Sequence, residues 1–500
     1  MSTARPQLSR LFDALLASEP ELPALVQDGR TTTFADWWAD SSRIVSGLAE
    51  RGVGRRDMIV LMLPSGQDFA SCYLAALRLG AVVSAVNPRL GPTEIEHIIA
   101  RCEPAAILTG EPGRIPAAAC PVLTPEAARG EPGAAAPGWA PVPVTEPAVV
   151  CWTSGSTGMP KGAWFDHETM AFIAANMGPL SVPYDRKLMP VPFAHTAYLT
   201  RVYDQLVHRC ALILTPPAWS ADSMLDVLAG QRVTLGQGVP TQWEKLLTLD
   251  RLAETDLSSL RMVSTGASRV PAALVRALHS RLGCPVVVRY ASTEAPLAFG
   301  TRIGDPIETV AATVGRPLGG ARVEIRGADG GVLPRGETGR VYLRTPARMR
   351  GYWRAPELTA QAIGPDGWLA SSDLGCLDAD GNLAIVGRAD DAYIRGGYNI
   401  YPSEVEAALA AHPAVARVAV VGIPAPVIGE IGVAFVVLAT EPLTETGPLT
   451  ETGLQAWCRS RIADYKVPDA VVFVDDLPVN AVFKVDTRRL KEMAVSDQLV

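Results

Sequence analysis

The chain has little of what would make it a secreted, membrane or nucleic-acid-binding protein. Its eight cysteines contain no Cys-x-x-Cys pair in 500 residues, which excludes a close-spaced zinc site and fits reduced, buried thiols better than disulfides. No uninterrupted apolar run of about 18 residues occurs, and the short apolar patch near Met1 to Ala17 is broken by Asp13, so neither a membrane span nor a secretory leader is expected. A cytoplasmic protein is therefore expected. Aromatic residues make up only 6%, and 45 basic residues stand against 52 acidic ones; the net charge of -7 gives no global positive field for a nucleic acid. What is abundant is apolar, at 48%, enough for a sizeable core, and 500 residues exceed one ordinary domain.

Short apolar runs alternate with helix-length periodic segments from about residue 31 to 300, as in Met58 to Leu63, Phe69 to Leu79 and Ala81 to Val86. That is the pattern of an α/β domain. After Gly315-Arg316-Pro317 the texture changes to short alternating runs such as Val323 to Ile325 and Arg340 to Leu343, which predict antiparallel β-structure. Nine prolines from Pro112 to Pro147 predict a surface excursion without chemistry. The last hundred residues mix helix and strand patterns and read as a small α+β domain. Within them Pro442 to Gly447 recurs as Pro448 to Gly453, a repeat too short for a solenoid and expected in an exposed turn.

The strongest local signal is Thr153-Ser154-Gly155-Ser156-Thr157-Gly158-Met159-Pro160-Lys161-Gly162, directly after the apolar run Ala148-Val149-Val150. Glycines let backbone N–H groups converge on phosphate oxygens, while hydroxyls and a lysine add donors. A Walker A loop is excluded, because Pro160 precedes Lys161 and Gly162 follows it. Taken alone, these ten residues equally describe a flexible Gly/Ser turn.

Further motifs stand in order behind the loop: Pro192-Phe193-Ala194-His195, Tyr290-Ala291-Ser292-Thr293-Glu294, Ser372-Asp373, Gly387-Arg388-Ala389-Asp390-Asp391, Gly396-Gly397-Tyr398 and Tyr465-Lys466-Val467-Pro468 with Lys484 beyond. Together they resemble the adenylate-forming enzymes, the superfamily of acyl-CoA synthetases, firefly luciferase and peptide-synthetase adenylation domains, and lie closest to acyl-CoA ligases. The resemblance implies a large N-terminal domain, residues 1–389, built of α/β subdomains plus a distorted β-barrel. A small mobile α+β C-terminal domain, residues 390–500, would swing about a hinge at Asp390. It implies ATP, Mg²⁺ and CoA as cofactors and substrates, and a carboxylic acid activated as its acyl-adenylate.

By the same resemblance, Lys484 is catalytic, Glu294 holds Mg²⁺ and Thr293 contacts phosphate. The nucleotide site takes Thr153, Ser154, Gly155, Ser156, Thr157, Gly158 and Lys161, then Gly266, Ala267 and Ser268 at the adenine, Tyr290, Ala291 and Ser292, Asp373 at the ribose, and Ile385 and Arg388. Arg89, Gly396 and Gly397 are placed at CoA. His195, Tyr198, Gly236, Gln237, Gly238, Ala291 and Pro296 are placed at the acyl pocket, a mostly small and apolar set that implies a hydrophobic acid. The chemistry suits these residue types: fixed cations and N–H donors stabilise the charge that builds at phosphate, and a carboxylate is the hard ligand Mg²⁺ prefers. Each residue alone has a plainer reading, as a solvated carboxylate, a surface ion pair, a pocket-wall histidine or a turn.

Three positions depart from the family pattern: Val482-Phe483 before Lys484, Ser371-Ser372 before Asp373, and Trp152 before the loop. They bear on ATP handling, so a second expectation is an enzyme impaired in adenylation that receives a preformed acyl-adenylate from a partner enzyme. Two more are the loading of a carrier protein and a catalytically silent nucleotide-binding protein.

Overall fold

Val, Ile and Leu concentrated in four- or five-residue runs make strands buried on both faces. Met58–Met62, Val82–Ala85 and Ala106–Thr109 are buried along their whole length and pair in parallel. In the computed structural model, which describes residues 7–116, 118–133, 137–153, 159–439, 449–480 and 483–496, they form the centre of a seven-stranded sheet. The hairpin Pro147–Thr153 and Lys161–Asp166 extends that sheet on one side, and Gly351–Tyr352 pairs with its outer strand.

A second, nine-stranded sheet carries six adjacent parallel strands, Pro23–Gln27, Ala211–Leu214, Arg186–Met189, Leu235–Gly238, Met262–Gly266 and Val286–Tyr290. Helices such as Ala221–Gly230, Pro240–Leu247 and Ala272–Leu282 connect them and bury their apolar stripes in one core with Trp243, Leu228 and Leu278. Gly236 and Gly238 face Trp243: a Cβ on either would lie 3.0 or 2.7 Å from the indole. The α/β expectation holds through both sheets.

The chain divides into two compact units, Met1–Val323 with Leu343–Leu369, and Glu324–Tyr342 with Ala370–Val500. The second contains the antiparallel strands Leu369–Leu377 and Leu383–Arg388 and a five-stranded sheet built on the long hairpin Val415–Ala425 and Gly429–Leu438. Tyr393 lies across that hairpin where Gly422 pairs with Gly432; a Cβ on Gly422 would fall 2.2 Å from Tyr393 Cβ and one on Gly432 2.1 Å from its hydroxyl. Trp457 donates from Nε1 to the Ala408 carbonyl at 2.8 Å, with the His412 ring 4.6 Å away and the Arg461 guanidinium 3.2 Å over its face. All other tryptophans belong to the first unit.

The proline-rich stretch is more than an excursion. Val122–Leu123 adds a parallel strand to the first sheet, Ala128 is fully buried, and Trp139 packs 5.9 Å from Trp38. Composition hid this because one buried alanine and one tryptophan suffice to pin a loop. The first copy of the repeated hexamer lies outside the described residues, whereas Thr450 of the second caps the helix Glu451–Arg459 by accepting from the Gly453 N–H. Among the described residues no helix is long and apolar enough to cross a membrane.

Candidate active site

In the first unit the predicted residues gather where parallel strands end. The Tyr290 to Glu294 segment follows Val286–Tyr290, the Gly266 to Ser268 segment follows Met262–Gly266, and Gln237 and Gly238 close Leu235–Gly238. The carboxyl ends of parallel strands are where open α/β sheets bind ligands. Ala267 stands at φ 67°, a left-handed conformation that costs a non-glycine residue about 1–2 kcal/mol and is held by the surrounding strand ends.

Of the glycine-rich loop, Ser154, Gly155, Ser156, Thr157 and Gly158 lie outside the described residues. Its stem is described: Thr153 pairs with Lys161 and Trp152 with Gly162. Trp152, one of the departures, is accommodated, since its indole N–H donates to Ser84 Oγ at 2.8 Å and its ring occupies the space above Gly162. Glu294 accepts from the Tyr352 hydroxyl at 2.9 Å, and the Tyr352 ring lies 5.9 Å from Lys161 Nζ. Burial first, then the Glu294 charge and hydrogen bond, push the Tyr352 phenol far above its ordinary range, so it stays a donor. Tyr352 was not foreseen; the signal that could have found it is Gly351-Tyr352-Trp353, whose backbone closes on the stem through Trp353 N–H to the Gly162 carbonyl at 2.6 Å.

His195 caps the short helix Thr196–Leu199, its Nδ1 accepting from the Ala197 N–H at 3.2 Å, and Tyr198 stacks on Phe193 with ring centroids 3.7 Å apart. A cavity opens beside this helix. Tyr198 and Gln237, two of the residues assigned to the acyl pocket, line it together with Lys187, Arg201, Asp204 and Gln205. The helix Val202–His208 and the strand Arg186–Met189 bring charged groups to this cavity that no short motif announces. Gly236 and Gly238 point their α-carbons at Trp243 and serve packing. Arg89 is exposed, its N–H donating to Asn87 Oδ1 at 3.0 Å in a local turn.

In the second unit three predicted residues come together. Asp373 pairs in register with Arg388, whose Nε lies 4.0 Å from Asp373 Oδ1 and whose Nη2 lies 3.6 Å from Asp390. The Ser371 substitution preserves the strand, its hydroxyl donating to the Val341 carbonyl at 2.9 Å and accepting from the Asp373 N–H at 3.1 Å. Ile385 sits opposite Gly375 on the same ladder. Lys484 lies within reach of both charges: burial and the Arg388 charge lower its pKa, and Asp373 raises it. A tight turn presents it, with Asn480 N–H donating to the Lys484 carbonyl at 2.7 Å, and Phe483 is forced to φ 60° where glycine would be free. Val482 lies outside the described residues. Gly396 and Gly397, at φ 56° and 85°, form the two-residue turn between Tyr393–Arg395 and Tyr398–Ile400.

A family model described as AMP-binding enzyme matches residues 12–353, and another, AMP-binding enzyme C-terminal domain, matches residues 404–484. This chain belongs to the AMP-binding enzymes. Within the family it is similar to the indoleacetate–CoA ligase of Aromatoleum aromaticum, 33% identical over 509 residues that cover 97% of this chain and 98% of the relative. It is similar to the feruloyl-CoA synthase of an Amycolatopsis species, 33% identical over 93% of this chain and 94% of the relative. The ATP-bound crystal structure of MatB from Rhodopseudomonas palustris superposes with a TM-score of 0.87 at 29% identity, covering 98% of this chain and 99% of that one. The AMP-binding enzyme described here is an ATP-dependent, AMP-forming ligase that joins a carboxylic acid to CoA through an acyl-adenylate. Its relatives over the whole length do not favour the adenylation-impaired, carrier-loading or silent alternatives. One carboxylate, Glu294, suits Mg²⁺, which binds through one or two carboxylates and substrate phosphates rather than in an all-protein cage; among the described residues no cluster of three or more His, Cys, Asp or Glu could hold an ion unaided.

Proposed function

We propose that the two half-reactions are divided among these residues as follows. The acid's carboxylate oxygen attacks the α-phosphorus of ATP and pyrophosphate leaves; Lys484 and the loop 153–162 supply the positive charge and N–H donors that this step needs. Glu294 holds Mg²⁺, which neutralises phosphate charge when bound, with Thr293 beside it and Tyr352 fixing the carboxylate. Asp373 accepts from the ribose hydroxyls and Arg388 orders Asp373 and the phosphate. Gly266, Ala267, Ser268, Tyr290, Ala291 and Ser292 receive the adenine, with Ile385 against the base. A CoA thiol then attacks the acyl carbonyl and AMP leaves, with Gly396 and Gly397 admitting the pantetheine arm, Arg89 meeting a CoA phosphate and His195 at the acyl carbonyl. Asp390 serves as the hinge, free CoA as the acceptor, and a reducing cytoplasm as the location, in keeping with eight free thiols.

The observation that carries this reading is the convergence of Lys484, Arg388 and Asp373, residues far apart in sequence and individually unremarkable. Purified protein incubated with Mg²⁺, CoA and a panel of acids, once with ATP and once with synthetic acyl-adenylates, tests it by mass spectrometry of the thioester. Thioester and AMP from acid plus ATP are expected; Lys484→Ala removes that route and leaves the one from the adenylates. Equal loss of both routes in that variant would overturn the assignment of Lys484.

A further inference from the structure

A second cavity, of about 100 Å³, opens beside the stem of the glycine-rich loop, where that stem meets the helix Pro92–Cys102 and the Gly351 to Trp353 segment. It has room for several waters and hence for a small polyatomic anion. Three of its wall residues are basic: Lys161 from the stem, and His97 and Arg101, which stand four residues apart and so share one face of the helix. The other described wall residues, Trp152, Tyr352 and Trp353 among them, are uncharged, and no carboxylate lines the cavity.

The positive charge is not balanced from beyond the wall. Among the described residues no ion pair joins a carboxylate to His97, Arg101 or Lys161. Glu103, two residues past Arg101, is held by Arg354 at 2.6 Å, and Glu294 accepts from the Tyr352 hydroxyl at 2.9 Å. His97 Nε2 lies 3.2 Å from the Pro160 carbonyl; a carbonyl only accepts, so that nitrogen donates. Trp353 keeps an indole N–H that is buried and without a partner, whereas the Trp152 N–H reaches Ser84 Oγ. Basic groups and a free N–H with no anionic acceptor among them are the complement of an anion that carries several oxygens.

The neighbouring chemistry selects the anion. Lys161 belongs both to this wall and to the loop residues assigned to the phosphates of ATP, so the anion set free there is released beside the cavity. We infer that the cavity is a second anion site, adjoining the nucleotide residues through Lys161, in which Arg101 and His97 take pyrophosphate on its way out once the acyl-adenylate has formed. Adenylation breaks the bond from the α-phosphorus to the oxygen bridging it to the β-phosphorus, and that oxygen leaves with pyrophosphate. No bond forms or breaks in the cavity, so Arg101 and His97 are binding groups and not catalytic residues. The inference rests on the ligase reading for the identity of the anion, whereas occupation of the cavity is tested without turnover.

Protein saturated with an ATP analogue whose α,β-bridge is methylene, which fills the nucleotide residues and releases no pyrophosphate, is titrated in a calorimeter with pyrophosphate, inorganic phosphate and CoA at constant ionic strength. One further pyrophosphate per chain is expected, bound more tightly than inorganic phosphate. Arg101→Met should weaken it by about tenfold or more at an unchanged melting temperature, and Arg101→Lys should recover part of the loss. Absence of pyrophosphate binding to the analogue-saturated protein, an affinity untouched by Arg101→Met, or displacement of the pyrophosphate by CoA would each overturn the inference. In pyrophosphate exchange, Arg101→Met should raise the KM for pyrophosphate several-fold at an unchanged KM for ATP. An equal rise in both is the mark of a stem merely propped by the helix and counts against the inference. Pyrophosphate bound as expected by a protein that makes no thioester from any acid would sink the ligase reading and leave the site standing; thioester formation without the extra pyrophosphate would do the reverse.

Discussion

Lys484 is held under opposing fields, lowered by burial and Arg388 and raised by Asp373. In its proposed role the ammonium stabilises charge at phosphate, so adenylation should fall as pH rises through its pKa, at a lower pH than an ordinary lysine near about 10.4 would give. Arg388→Met should move that alkaline limb upward and Asp373→Asn downward, read as pyrophosphate exchange against pH. Lys484→Ala should lower the adenylation rate by roughly 10²–10³. A second residue sets the acid side of stability. His167 is buried, its Nδ1 3.0 Å from the Tyr203 hydroxyl, and burial lowers it to about 4. Between that value and the unfolded 6.5 the unfolded chain binds the extra proton, so stability is full above about 6.5 and is lost as pH falls, by about 3 kcal/mol in all. Urea denaturation at pH 7 and pH 5 should show this difference, and His167→Gln should shrink it. Lys484, Glu294 and Asp373 could be assigned from the sequence only through the resemblance that the ordered motifs carry together, since each alone reads as an ordinary surface lysine or solvated carboxylate. Tyr352 was not legible, because a tyrosine reads as a packing residue until tertiary structure sets its hydroxyl against Glu294.

At the scale of elements, the strands were legible from their apolar runs, and the change to antiparallel pairing after residue 315 from its shorter alternation. The facing of individual glycines was not. Gly236 and Gly238 stand among pocket residues in sequence, yet their α-carbons turn to Trp243, since successive residues of a strand point to opposite faces and Gln237 alone takes the cavity side. Gly238→Ala should therefore destabilise the first unit by about 1–3 kcal/mol through overpacking. Trp243→Phe, which removes the Nε1 that the new methyl would meet, should recover part of that loss in the double variant, measured by denaturant midpoint. If Gly238→Ala instead altered acid selectivity at unchanged stability, the packing account would be wrong.

For the whole molecule, the division into two units does not follow the hinge read from the sequence: the strands bearing Asp373 and Arg388 lie in the same unit as Lys484. A compact unit and a pivot used in turnover are different properties. Asp390→Pro, which fixes φ at the proposed pivot, should slow thioester formation more than pyrophosphate exchange, and equal effects on the two would place the hinge elsewhere.

The uneven placement of tryptophan gives the two units separate spectroscopic voices. Indole emission comes almost wholly from the first, because the single indole of the second, Trp457, lies against His412 and beneath Arg461. A fluorescence melt thus follows one unit while calorimetry records both, and the gap between the two midpoints measures, without any label, whether the halves of this ligase unfold together.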